Sequence, residues 1–161
     1  MINRKTYAAA VFLILFSVDV SGQNRDVLQG LEMVKVVVDV NDDGARFVSH
    51  GQIETDVEET LRRSRIVVSR DATPFIHVAI TAIEITTEYL GFSVCINVEL
   101  NELVTLNRDS SKIEFATTWK AGSTILVFPD RSSAAQGVRR VVRGYVDEFS
   151  NNYLAMNPIT R

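Results

Sequence analysis

Leu90-Gly91-Phe92-Ser93-Val94-Cys95-Ile96-Asn97-Val98-Glu99-Leu100-Asn101-Glu102-Leu103-Val104-Thr105-Leu106 is the stretch whose reading decides the fold. Leu90, Phe92, Val94, Ile96, Val98, Leu100, Val104 and Leu106 share one parity, while Ser93, Cys95, Asn97, Glu99 and Asn101 share the other. Successive side chains of a strand point to opposite faces, so this is a long strand with one buried face and one wet face. An antiparallel sheet covered on one side only carries this signature.

Working outward, the neighbours read as its partners. Phe75 to Thr87 is apolar on both parities, which predicts a central strand, and the Tyr89 to Gly91 region is short enough to join the two as a hairpin. After a turn at Asn107 to Ser111, Lys112 to Phe128 predicts a third strand broken by a bend or bulge at Ala121-Gly122. On the amino-terminal side, Val34, Val36, Val38 and Val40 alternate within a β-branched run that Asn41-Asp42-Asp43-Gly44 stops. A further short strand is predicted over Ile66 to Ser69.

Two stretches switch to a helical period. In Gln52 to Arg65, Ile53, Val57 and Leu61 recur every four residues, with acidic residues early and Arg62, Arg63 and Arg65 late, as the helix dipole favours. Past Pro129-Asp130, Val138, Val141, Val142, Tyr145, Val146, Phe149, Tyr153 and Met156 fall on one arc. Arg139, Arg140, Arg143, Asp147, Ser150 and Asn151 lie opposite, and Pro158 ends the helix. Gly137 and Gly144 flank the apolar arc, where small residues are expected to let the other helix approach closely. The predicted fold is α+β: a mainly antiparallel sheet of about four strands, with two helices on one face.

The start of the chain reads differently. Asn3, Arg4 and Lys5 precede an apolar run from Ala8 to Phe16, and Val20-Ser21-Gly22 supplies small residues for a signal peptidase. The run is short for a membrane span, so residues 1–22 are expected to be a signal peptide cleaved after Gly22. Residues 23–30 then form a flexible leader and 31–161 a single domain, in a protein exported to the periplasm or secreted. Cleavage removes Arg4, Lys5 and Asp19 and moves the formal charge from −3 to −4, which leaves no basic excess for nucleic acid. Cys95 is the single cysteine, so no internal disulfide forms, and no lipidated Cys follows the apolar run.

This element order behind a signal peptide resembles the small β-α-β-β-β-α modules of bacterial envelope proteins. The amino-terminal domain of the Tol-Pal translocation protein and the lipopolysaccharide-assembly lipoprotein are examples. The chain departs from the first in lacking a following β-propeller and from the second in lacking a lipidated Cys. What the resemblance implies is a class: noncatalytic periplasmic modules that bind other envelope components.

Several constellations bear on chemistry. Asp39-Val40-Asn41-Asp42-Asp43-Gly44 has the alternate oxygens of a calcium loop, but the loop's twelfth position would be His50 instead of a bidentate Glu, and a strand precedes it. A turn explains the same residues. His50 and His77 with one Cys are too few for a zinc site without carboxylates. Cys95 and His77 form a dyad only if the hairpin register brings them together. Gly122-Ser123 lacks the flanking pattern of a nucleophile elbow. Arg139, Arg140 and Arg143 are read first as a solvated helix face.

The expectation is therefore a noncatalytic binding or envelope-assembly module, with no cofactor, acting through protein–protein contacts with an envelope partner. No membrane span remains after signal cleavage. The candidate interface residues are Ser93, Cys95, Asn97, Glu99 and Trp119; Trp119, beside the expected bend, reads either as an aromatic anchor or, as is more usual for Trp, as a core residue. The alternative is a small metal-dependent or hydrolytic enzyme using His50, His77 and nearby carboxylates.

Overall fold

A computed structural model describes residues 25–85 and 91–158. The expected signal and its cleavage site lie outside these residues, as does most of the expected hairpin connection at Tyr89 to Gly91. In chain order the elements are a 3-10 turn Arg25–Leu28, β1 Met33–Val40, α1 Asp42–Ala45, α2 His50–Arg63 and β2 Val67–Val68. β3 Phe75–Ile85, β4 Gly91–Leu106, β5 Asp109–Lys120, β6 Thr124–Phe128 and α3 Arg131–Met156 follow.

The sheet has six strands and is mixed, not the four-stranded antiparallel meander of the sequence reading. β1 runs parallel to both its neighbours, β2 and β3, while β3 and β4 pair antiparallel over eleven positions from Phe75↔Asn101 to Ile85↔Gly91. The cause is the crossover: α2 carries the chain back along β1, so the next strands start from the same end as β1. β3 is central, as its apolar parities predict. β5 and β6 lie end to end along one edge of β4, against Glu99–Leu106 and Phe92–Ile96 respectively. The expected break is at Ala121 to Ser123, where the Ala121 N–H still reaches Val98 O at 2.9 Å.

Both long helices cover one face. Val34, Val36 and Val38 of β1, Ile76, Val78, Ile80 and Ala82 of β3, and Phe92 to Leu100 at even positions of β4 point under them and are buried. Ile53, Val57 and Leu61 of α2, and Ala134, Val138, Val142, Val146 and Phe149 of α3, close this single core. Burying a large apolar side chain stabilises by about 1.5–3 kcal/mol, so this layer holds the fold.

Helix ends follow local chemistry. α2 begins and ends two residues before the predicted span, because extended Ser49 starts it and Arg65, at φ 65°, ends it. Asp130 caps α3 through its carboxylate, which accepts from Ser133 N at 2.9 Å. That bond lowers the Asp130 carboxyl pKa. Ser150 is buried, against its expected solvent position. Within the segment read as a leader, Leu28 is buried, and Asn157 clamps the backbone by donating to Leu28 O at 2.8 Å and accepting from Gly30 N at 2.8 Å. The expected helix–helix role of the two glycines is not what the structure shows: the Phe128 ring occupies the notch at Gly137, and nothing approaches Gly144.

Candidate functional site

The face of the sheet away from the helices is uncovered among the described residues, and the odd positions of β1, β3 and β4 point out of it. Its middle is polar and internally bonded. His77 Nε2 and Asp39 Oδ2 are 2.7 Å apart, and Lys120 Nζ is 2.8 Å from Glu99 Oε1. Thr117 Oγ1 lies 3.3 Å from Glu99 Oε2 and 3.1 Å from Asn101 Oδ1, with one hydroxyl proton to share between them. Ser123 Oγ donates to Asn97 Oδ1 at 2.8 Å, and Asn97 Nδ2 donates to Cys95 Sγ at 3.7 Å. These bonds tie β1 to β3 and β4 to the strands on its far edge.

Large apolar side chains flank this band on both sides. At one end, Ile83, Ile125 and Val127 are 63%, 66% and 64% exposed, with Val127 opposite Ser93 and Ile125 opposite Cys95. At the other, Leu103, Ile113 and Phe115 are exposed, and Phe115 meets Phe75 edge to face at 5.4 Å. Lys35 Nζ stands 5.7 Å over the Phe75 ring. A bulge in β5 at Thr118 resets the parity, which puts Phe115 and Ile113 on this face and Trp119 on the other. Their exposure was not legible because each looks like a core residue within its own strand. The β4 parity, carried across the sheet to its partners, was the signal that could have found them.

Ser93, Cys95, Asn97 and Glu99 all lie on the open face, as the alternation implied. Trp119 does not. It is 2% exposed, faces Leu100 across the ladder, and packs edge to face on Phe149 with centroids 5.0 Å apart. Of the two readings of Trp119, the core one holds, and Trp119 is not part of the open face.

The residues named for catalysis are not brought together. His50 opens α2 in the helical layer, where its ring nitrogen is 3.9 Å from Glu54, while His77 is on the open face of the sheet beyond. In the hairpin, His77 is opposite Glu99 and Cys95 opposite Thr81, four positions away, or about 13 Å along the strand. The calcium-like oxygens diverge: Asp39 bonds His77, Asn41 bonds Ala82 and Gly44, and Asp43 Oδ2 accepts from Glu84 N at 3.3 Å. Among the described residues no group of three or more His, Cys, Asp or Glu side chains is placed to hold a metal. A groove of about 450 Å³ at the start of α2 includes Phe47, Ser49, Gly51 and Gln52, and its charged residue, Arg139, is held by Asp56.

No family model matches the sequence, and no curated protein does. Solved structures with some likeness include a PelC dodecamer from Paraburkholderia phytofirmans, 16% identical over 76% of this chain and 86% of that one, with a TM-score of 0.39. A minor lipoprotein from Acinetobacter baumannii is 12% identical over 76% of this chain and 94% of that one, with a TM-score of 0.37. No helix of the described residues is long and apolar enough to cross a membrane.

Proposed function

We propose that this chain is a noncatalytic binding or assembly module of the bacterial envelope, exported to the periplasm or secreted, which engages a protein partner through the open face of its sheet. The observation that supports this reading is the arrangement of that face: six large exposed apolar side chains flank a hydrogen-bonded polar band. Apolar patches rimmed by polar groups are characteristic of protein contact sites. The apolar ends supply area removed from water, and the fixed polar band supplies orientation. The location rests on residues 1–22.

A photo-crosslinking amino acid placed at Asn97, and separately at exposed Arg140 on the outer side of α3, tests the face in cells. A reproducible adduct with one envelope protein from position 97 but not from 140 is expected. No adduct, or equal adducts from both positions, overturns the reading.

A further inference from the structure

Among the described residues, β6 is the edge of this sheet built without the usual protection. β2, at the far edge, is only two residues long. β5 carries Lys112, Glu114 and Lys120 and a bulge. These are the devices by which natural sheets prevent their edges from pairing with other chains. β6 has none of them: Thr124-Ile125-Leu126-Val127-Phe128 has no charge and no Pro, and its composition favours strands strongly. Among the described residues it pairs with β4 alone, which leaves its outer edge without a strand.

The sequence at each end limits how another strand can join. Gly122-Ser123 breaks the strand before Thr124, and Pro129, which has no N–H to offer a ladder, follows Phe128. The pairing window is therefore these five residues. An antiparallel copy of the same five fills the window completely in one register, with Leu126 on a two-fold axis, Ile125 opposite Val127 and Thr124 opposite Phe128.

We propose that the outer edge of β6 is a homotypic strand-pairing site whose partner is β6 of a second copy of this chain. The two-fold arrangement closes on itself, because it uses the same edge of each copy, and among the described residues no other edge of this kind is left to continue a fibre. The uncharged strand holds nothing to select a foreign strand of opposite charge, and the two-fold register sets Ile125 beside Val127 twice on the open face, an apolar cross-strand pair on each side of the axis. Edge pairing leaves the open face, with its Asp39–His77 and Glu99–Lys120 pairs, accessible to the proposed partner. The inference rests on the reading that the chain works through protein contacts but uses a different surface. It joins two open faces side by side and leaves both available.

The test is sedimentation velocity over a range of concentrations, using protein purified from expression of the full chain. The expected result is a reversible monomer–dimer equilibrium, weakened at least about tenfold in Ile125→Lys/Val127→Lys. Both side chains point to solvent, so circular dichroism and the thermal midpoint stay as in the parent. Mixing this variant with Ile125→Glu/Val127→Glu restores the dimer. As a readout that does not need the charged variants, copies carrying Ile125→Cys and Val127→Cys in a Cys95→Ser background should link to each other faster than either links to itself. A parent protein that stays monomeric throughout, a dimer indifferent to the lysines, or equal self-linking overturns the proposal. Adducts from Asn97 that persist in a monomeric protein overturn only this inference and leave the function of the face standing; loss of the adducts together with an intact dimer does the reverse.

Discussion

Arg139 of α3 holds Asp56 of α2 with two hydrogen bonds, Nε to Oδ2 at 2.7 Å and Nη2 to Oδ1 at 3.1 Å, and so fastens together the two helices that cover the sheet. The Arg139 hydrogen bond holds the Asp56 carboxyl below the ordinary Asp range, assisted by Gln52 and by the charges of Arg139 and Arg143. A carboxyl whose pKa is lowered by folding stabilises the protein above its unfolded value, about 3.9, and ceases to do so as the pH falls through the folded value. Arg139→Gln should therefore lower stability by about 0.5–1 kcal/mol at pH 7, a modest figure because the pair is partly exposed. Urea midpoints of parent and variant should converge as the pH falls below the ordinary Asp range and through the folded value. A gap that does not narrow with acid would show that Arg139 acts through packing.

The two glycines of α3 predict opposite outcomes. Nothing lies within 4 Å of a Cβ built on Gly144, so Gly144→Ala should stabilise by up to about 1 kcal/mol through helix propensity alone. At Gly137 the same Cβ would overlap the Phe128 ring, which is packed against the core. Gly137→Ala should destabilise by about 1–2 kcal/mol despite the same propensity gain. Thermal midpoints moving in opposite directions, with Phe128→Leu relieving the effect of Gly137→Ala, would establish the notch.

Asn41 continues the β1 ladder with its side chain. Its Nδ2 donates to Ala82 O at 2.8 Å, and its Oδ1 accepts from Ala82 N at 2.9 Å and Gly44 N at 3.1 Å. Asn41→Asp keeps the shape but replaces the donor with an oxygen that faces a carbonyl oxygen. The expected cost is about 1–3 kcal/mol in a denaturant titration. An unchanged midpoint would mean that the amide makes no net contribution to the junction between β1 and α1.

Why some of this was legible in the sequence and some was not follows from the range of the forces involved. The β4 alternation and the Ile53, Val57, Leu61 repeat are local periods imposed by burial of one face, so they reveal strand, helix and open face directly. The direction of β1 is set by where α2 returns the chain, which no local period encodes. The parity of Trp119 depends on one bulged residue, Thr118, and a shift of one position exchanges the two faces. The apolar residues of the open face were hidden for a related reason. Ile83, Ile125 and Val127 look like core residues in their own strands, and only the cross-strand register shows that they accompany Ser93 and Cys95.

The end of α2 stores removable strain. Arg65 occupies the left-handed region at φ 65°, its N–H bonds Arg62 O at 3.0 Å, and the Ile66 N–H bonds Leu61 O at 3.1 Å. This is the glycine-terminated helix ending with an arginine in the glycine position. Arg65→Gly should stabilise by about 0.5–1 kcal/mol, the strain relieved less the greater freedom of glycine in the unfolded chain. A lower thermal midpoint in the variant would mean that the arginine side chain contributes more than its backbone costs.

Trp119 is the single tryptophan, so its fluorescence reports one position. Packed between the sheet and Phe149 and almost wholly removed from solvent, it should emit to the blue of free tryptophan and resist quenching by acrylamide. Truncation to Ala should cost about 3–5 kcal/mol by opening the core beneath α3. The milder Trp119→Phe should leave partner adducts from Asn97 unchanged wherever the protein remains folded. Ready quenching in the folded protein would place the indole on the open face and remove the bulge at Thr118, since Trp119 would then share that face with Phe115 and Ile113 as the unbroken alternation of β5 has it.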